Sequence, residues 1–381
     1  MILLLLDLSA AFDTIDQKQL LKILRNEIGI EGLALQWFES FLIGRTQKVK
    51  IANSYSSESE LDYGAPQGSS LAPRLFNIYA RSIKEHVSPS KYSIFGFADD
   101  HQLLKAFLPI LQTTALGTDI ENCFSLIAEW MEKHFLKLNA SKTKIMIIAP
   151  PAVVDRIKIG GTFINSKCIR FVHSARNLGV LIDDELKFKD QITKVAQSCF
   201  FTLRELSKIE PFLTHEHLRT AISTYVFSKL DYCNSLYYGV NNTLLQKLQS
   251  VQNCAARLIR KSSKTTDIPV HETIKSCHWL RVRDRIYFKT CLIVHKCIHG
   301  NAPKMLKELL MFSTSSRTML LSQHRYSSKF GNRCFARFAP KIWNLLPLVL
   351  RVETNTDTFK KNLKTFLFEN GEWLYTKLQE E

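Results

Sequence analysis

Three acidic side chains at the ends of apolar runs are the first residues in this chain able to do chemistry. Asp7 interrupts the β-like run Ile2–Leu8 and opens Asp7-Leu8-Ser9-Ala10-Ala11-Phe12-Asp13. Asp99 and Asp100 close the apolar run Tyr92–Ala98 and precede another, Gln102–Phe107. Two carboxylates held about 4 Å apart, at an effective dielectric near ~20, repel by about 4 kcal/mol. Such a cluster persists by protonation, by solvation or by binding a hard cation. Oxygen ligands on strand ends suit Mg²⁺, which accepts one or two carboxylates together with waters and substrate phosphates. Between the two acidic sites lies Gly64-Ala65-Pro66-Gln67-Gly68-Ser69-Ser70, a turn that runs into a helix. Each segment alone has a plainer reading, since Asp-Asp is usually a solvated turn and Pro-Gln-Gly a generic one. The three together, in this order, argue for a site.

The elements that must position these residues follow from hydrophobic periodicity. Strands are expected at Ile2–Leu8, Thr46–Ala52, Ser59–Tyr63, Tyr92–Ala98 and Lys144–Ala149, and helices at Gln17–Glu27, Leu71–Val87 and Thr118–Phe135. Strands mixed irregularly with helices predict an α+β layer architecture. After Pro150-Pro151, a short β segment with a Gly160-Gly161 turn runs to Val180–Ile182. Helical patterns follow at Lys187–Ile209, Glu216–Ser228 and Thr243–Arg260.

Composition narrows the class. The 381 residues are 45% hydrophobic and 23% charged, an ordinary globular balance. The longest early apolar run, Ile2–Leu6, is too short to span a bilayer, and no later stretch approaches ~20 apolar residues, so no membrane partner is expected. Nine scattered cysteines without a CxxC pair read as reduced thiols of an intracellular protein, nuclear or cytoplasmic.

The trio resembles motifs A, B and C of reverse transcriptases, specifically those of non-LTR (LINE-type, Jockey-like) retrotransposons. Residues 7–16 resemble motif A, Gly64 to Phe76 motif B and Phe97-Ala98-Asp99-Asp100-His101-Gln102-Leu103 motif C. Leu138-Asn139-Ala140-Ser141-Lys142-Thr143-Lys144 resembles motif D, Asn177 to Asp183 the hairpin that follows, and the likeness continues through Cys277–Arg283 and Phe338–Pro347.

The resemblance implies an α+β fold made of three parts. These are a partial polymerase palm with an antiparallel sheet over residues 1–150, a palm-end hairpin and helical thumb-like segment over 151–262, and a mostly helical basic C-terminal module over 263–381. It implies RNA-directed DNA polymerase activity, taking an RNA template, a DNA primer and dNTP. Asp7 and Asp99 would hold two Mg²⁺ (or Mn²⁺), with Asp100 in support and a backbone carbonyl from Leu8. Phe12 matches the steric gate under the nucleotide sugar. Pro66, Gln67 and Gly68 would lie against the incoming nucleotide, and Lys142 matches the lysine that protonates pyrophosphate. Motif B usually has Gly where Ala72 stands and an apolar residue at Arg74, and motif C usually has Thr at His101. The chain begins one strand before motif A, which implies a palm truncated of its fingers and impaired in polymerisation. The alternative is a catalytically inactive RNA/DNA-binding remnant.

Outside the motifs, Arg281, Arg283, Arg285 and Lys289, with Tyr287 and Phe288 between them, are expected to meet nucleic-acid phosphates and bases. The cysteines and histidines of 277–299 lack knuckle spacing and read as a buried helix. Residues 1–150 hold 15 Lys+Arg and 16 Asp+Glu, whereas 151–381 hold 36 and 19, so the whole excess of +16 follows the acidic motifs. That placement predicts chemistry in the first part and phosphate binding in the second.

Overall fold

The computed structural model describes residues 1–66, 68–107, 113–154, 161–164, 167–262, 269–312, 319–323 and 329–380. The chain divides into two compact units, Met1–Glu185 and Leu186–Glu381. The hairpin of Ser174–Asn177 with Val180–Asp183 therefore belongs to the first unit.

The first unit is built on a four-stranded antiparallel sheet. Strands β1 (Ile2–Leu6), β2 (Ser93–Phe97), β3 (Asp100–Lys105) and β4 (Lys144–Ile147) lie in the order β2-β3-β1-β4. β1 is central and almost wholly apolar, as a strand covered on both faces must be. Ile2, Leu4 and Leu6 enter one core with Leu103, Ile145 and Ile147, while Leu3 is buried opposite Met146 in the β1–β4 register.

Helices α1 (Gln17–Asn26), α2 (Ala72–Tyr79), α3 (Ile83–Val87) and α4 (Thr113–Lys133) contribute to the same core. Asp16 starts α1 by accepting the Gln19 N–H at 2.6 Å, and Leu20, Ile23 and Leu24 make its apolar stripe. On α4 the stripe is Ile120, Cys123, Phe124, Ile127, Trp130 and Met131, all buried at helical spacing.

The single helix expected over Leu71–Val87 is two, α2 and α3. Bonds to the end of α4 hold the break: Tyr79 Oη donates to the His134 carbonyl at 2.6 Å, and Trp130 Nε1 donates to Ser82 Oγ at 2.9 Å. The strands expected at Thr46–Ala52 and Ser59–Tyr63 form a nested hairpin. Arg45–Gln47 pairs with Ser59–Leu61, and Lys50–Ile51 with Ser54–Tyr55.

The second unit is helical among its described residues. Its principal helices are α5 (Lys189–Ile209), α6 (His215–Ile222), α7 (Asn242–Ser262), α8 (Val282–Ile298), α9 (Phe335–Asn344) and α10 (Thr356–Glu380). The helix expected at Glu216–Ser228 widens into a π-helical turn over Ser223–Phe227 before ending at Asp231. The aromatic-rich end is core: Phe338, Trp343 and Phe359 are buried. On α8, Cys291, Val294, His295 and Cys297 are buried too, and His295 Nε2 donates to the Glu353 carbonyl at 2.9 Å.

Candidate active site

Strand adjacency brings the acidic residues together. In the β1–β3 register Leu6 faces His101, so the next residues outward are Asp7 and Asp100. β2 and β3 join through Ala98-Asp99, with Phe97 paired to Asp100. Ala98 has φ +53, left-handed backbone inside this two-residue connection. This turn sets Asp99 and Asp100 beside the exit of β1.

The electrostatics show the crowding. The Asp100 carboxyl is pushed above its ordinary value, first by burial, then by the Asp99 and Asp7 carboxylates, with His101 opposing. His101 is buried, and burial lowers its affinity for a proton. Its Nδ1 lies 3.2 Å from the Asp99 carbonyl, an acceptor, so the neutral tautomer with Nδ1–H faces that oxygen. One oxygen of Asp7, Oδ2, is buried without a hydrogen-bond partner, and Lys142 Nζ stands 3.9 Å from it.

The segment predicted as motif D is fastened to the other side of Asp7. Leu8 bridges to Leu138, Ser9 N–H donates to the Lys137 carbonyl at 2.8 Å, and Asn139 N–H donates to the Asp7 carbonyl at 2.8 Å. The Asn139–Thr143 turn that follows carries Lys142 toward the carboxylate. Thr143 Oγ1 accepts the Asp7 N–H at 3.4 Å and donates to the Asn139 carbonyl at 2.9 Å.

Motif B is built onto motif A. Gly64 N–H donates to the Ile15 carbonyl at 2.8 Å, and Ala65 N–H to the Phe12 carbonyl at 2.9 Å. Gly64 has φ +89, and a Cβ there would stand 3.1 Å from both the Phe12 carbonyl oxygen and Asp13 Cα. No other residue type meets both demands without strain. Phe12 is half-buried and packs on Phe76 of α2, ring centroids 5.2 Å apart. Pro66 accepts the Ser69 N–H at 3.2 Å, and Gly68, at φ +81, borders open space. Gln67 lies outside the described residues.

Two positioning residues carry no sequence signal of their own. Asn77 on α2 accepts the Ala98 N–H at 3.1 Å through Oδ1, tying motif B to the Asp99–Asp100 turn. Thr143 steadies Asp7 from the end of the turn before β4, 136 residues away in sequence. Only the folded register reveals either contact.

The donor set fits a divalent cation in kind: carboxylate oxygens, one of them buried and unpartnered. Among the described residues, no three acidic, histidine or cysteine side chains converge as a ready-made metal cage. Mg²⁺ commonly binds through one or two carboxylates and completes its shell with water and phosphate, so two carboxylates suffice for entry.

The predicted basic run divides in space. Arg281 is the N-cap of α8 in extended conformation, and it pairs with Glu372 of α10. Arg283 also meets Glu372, at 3.0 Å, and lies 3.9 Å over the Tyr375 ring. Arg285 forms a two-pronged pair with Asp231, its Nε 2.7 Å from Oδ1. Lys289 makes no ion pair among the described residues.

An antiparallel sheet presenting Asp7 and Asp99-Asp100 at adjacent strand ends defines a polymerase-type palm. This chain carries a reverse transcriptase domain: residues 1–188 match the family described as reverse transcriptase (RNA-dependent DNA polymerase), and the relatives it matches are polymerases of LINE-type elements. The RNA-directed DNA polymerase from mobile element jockey of Drosophila melanogaster is 27% identical over 165 residues, covering 42% of this chain and 17% of that protein. Its counterpart from Drosophila funebris is 25% identical over 266 residues, or 68% of this chain and 28% of the relative. The Pol polyprotein of the type-1 retrotransposable element R1 from Nasonia vitripennis is 23% identical over 252 residues, 63% of this chain and 70% of the relative. The chain thus spans less than a third of the jockey polymerases. The apo telomerase of Candida tropicalis superposes with TM-score 0.37 at 13% identity over 72% of this chain and 45% of that one, too distant a likeness to bear on the reading. No helix among the described residues is long and apolar enough to cross a membrane.

Proposed function

We propose that this chain acts as an RNA-directed DNA polymerase of a LINE-type retrotransposon, joining deoxynucleotides to a DNA 3′-hydroxyl on an RNA template. The observation that carries the reading is the acidic corner, where Asp7 at the exit of β1 adjoins the Asp99–Asp100 turn. Asp7 and Asp99 would hold two Mg²⁺ (or Mn²⁺), with Asp100 beside them and the Leu8 carbonyl as a further oxygen. Such ions, when bound, lower the pKa of the primer hydroxyl and offset charge on the departing pyrophosphate.

The chain's own groups do the rest. Lys142, poised at Asp7, donates a proton to pyrophosphate as its charge develops. Phe12, braced by Phe76, lies under the sugar and excludes a 2′-hydroxyl. Pro66, Gln67 and Gly68 border the incoming nucleotide. Arg281 and Arg283 would reach phosphate by exchanging Glu372 for it, Arg285 stays with Asp231, and Lys289 has no such partner to give up. The scattered thiols, free where described, suit a reducing compartment, nuclear or cytoplasmic.

Primer extension on an RNA template tests this. Mg²⁺-dependent synthesis that disappears in Asp99→Asn supports the enzyme. Retained nucleic-acid binding with no extension by the wild-type chain supports the inactive remnant instead.

A further inference from the structure

The first unit holds 20 Lys+Arg and 20 Asp+Glu, and the second holds 31 and 15, so the whole excess of +16 resides in Leu186–Glu381. Much of that positive charge is spent internally: Arg281 and Arg283 on Glu372, Arg285 on Asp231, Lys208 on Glu205. A phosphate chain binds best where cations converge without carboxylates to neutralise them.

A cavity built from three helices of this unit meets that condition. It encloses about 560 Å³ and is lined by Arg219 of α6, Lys289 of α8 and Lys364 of α10, together with His278. Its lining carboxylate, Asp231, is already taken by Arg285. Arg219 donates through Nη2 to the Cys277 carbonyl at 3.3 Å, a neutral acceptor that fixes the guanidinium and leaves its charge intact. Lys289 and Lys364 make no ion pair among the described residues. The floor is rigid: Trp279 and Phe227 pack edge to face at 4.5 Å, and both are buried. Three cations from three helices around one concave floor suit a strand whose anionic groups recur along its length.

We propose that the Arg219–Lys289–Lys364 cavity is a phosphodiester-binding groove that grips a nucleic-acid strand by its backbone, without reading bases. The choice of nucleic acid over an acidic protein rests on the reverse transcriptase reading of the first unit. The groove also assigns different roles within the basic run: Lys289 contacts phosphate, while Arg285 holds Asp231 away from it.

The test measures binding of the full chain to labelled RNA in EDTA across a salt series, so that no catalytic step contributes. Each lost phosphate contact lowers the slope of log K against log salt by about one. Arg219→Gln/Lys289→Gln/Lys364→Gln is expected to lower the slope by about two to three and to weaken binding at least tenfold. Lys208→Gln and Lys377→Gln, which remove charge elsewhere on the unit, are expected to leave the slope near wild type. Should the triple variant fail to fold, Lys289→Gln/Lys364→Gln reads the same slope with two unpaired amines. An unchanged slope in these variants overturns the groove, and so does an equal loss in the two control variants. Displacement of RNA by polyglutamate at equal charge concentration overturns it as well, because the surface then takes any polyanion. Primer extension, measured separately, distinguishes the two readings: slope-dependent binding with no extension removes the polymerase reading and leaves the groove standing.

Discussion

Lys142 Nζ lies 3.9 Å from Asp7 Oδ2, close enough for charge attraction and too far for a hydrogen bond. The pair is set by backbone, through the Asn139 N–H bond to the Asp7 carbonyl and the turn that follows it. With 70% of its side chain exposed, Lys142 is free to swing from the carboxylate to a phosphate. If it donates the proton to pyrophosphate, Lys142→Gln lowers kcat by about 10²-fold or more. A lysine that only steadied Asp7 would instead raise the Mg²⁺ requirement and leave the rate at saturating Mg²⁺ unchanged. Single-turnover extension over a Mg²⁺ series separates the two.

If Phe12 is the sugar gate proposed above, its contact with Phe76 makes that gate a two-ring device. Phe12→Ala should therefore admit ribonucleotides, lowering the preference for dNTP over rNTP by at least about tenfold, a loss on the scale of one poor steric contact. Phe76 is fully buried, so Phe76→Leu should relax the same preference more weakly by letting Phe12 tilt. Competition between dNTP and rNTP in extension reads both. Equal discrimination in wild type and Phe12→Ala removes the gate.

Asn77 carries a similar prediction for the acidic turn. Its Oδ1 is the acceptor for the N–H of Ala98, the residue held at φ +53. Loss of one such bond costs about 1 kcal/mol, so Asn77→Ala should fold. The turn it releases carries Asp99 and Asp100, and the Mg²⁺ concentration for half-maximal extension should rise several-fold while dNTP KM changes little. An unchanged metal requirement would mean that β2 and β3 hold the turn without Asn77.

The strand-end carboxylates, the Pro-Gln-Gly turn and the central apolar strand were legible in sequence because each depends on local order. Asp7 ends β1 at the place where the apolar run stops, and the short Phe97–Asp100 connection requires a tight turn. Asn77 and Thr143 were not legible, since their partners lie 21 and 136 residues away and only the sheet register brings them near. The basic run divides in space for a geometric reason. Residues two apart on a helix point about 200° apart, so Arg283 and Arg285 cannot share a face. Arg281 precedes the helix in extended conformation and leaves the periodicity altogether. Arg219, Lys289 and Lys364 converge from three helices, a grouping that no window along the sequence contains.

Asp284, buried in the second unit beside Gly371, should give the chain a distinctive acid–base signature. Burial pushes its carboxyl up from 3.8 to about 6, with Arg283 and Arg281 pulling down and Glu372 pushing up. Its Oδ1 has no hydrogen-bond partner, and a Cβ on Gly371 would lie 2.7 Å from that atom. Because the folded pKa exceeds the unfolded one, the folded state keeps a proton that the unfolded state has lost between about pH 4 and about pH 6. Stability therefore falls as pH rises through this window, and above it the loss is complete. A shift of about two pH units corresponds to about 3 kcal/mol. Asp284→Asn keeps the shape and removes the titration. Its Tm relative to wild type should climb from pH 4 to pH 6.5 and then level off. Parallel Tm curves across that range would show that Asp284 stays ionised in the folded protein, held by Arg283.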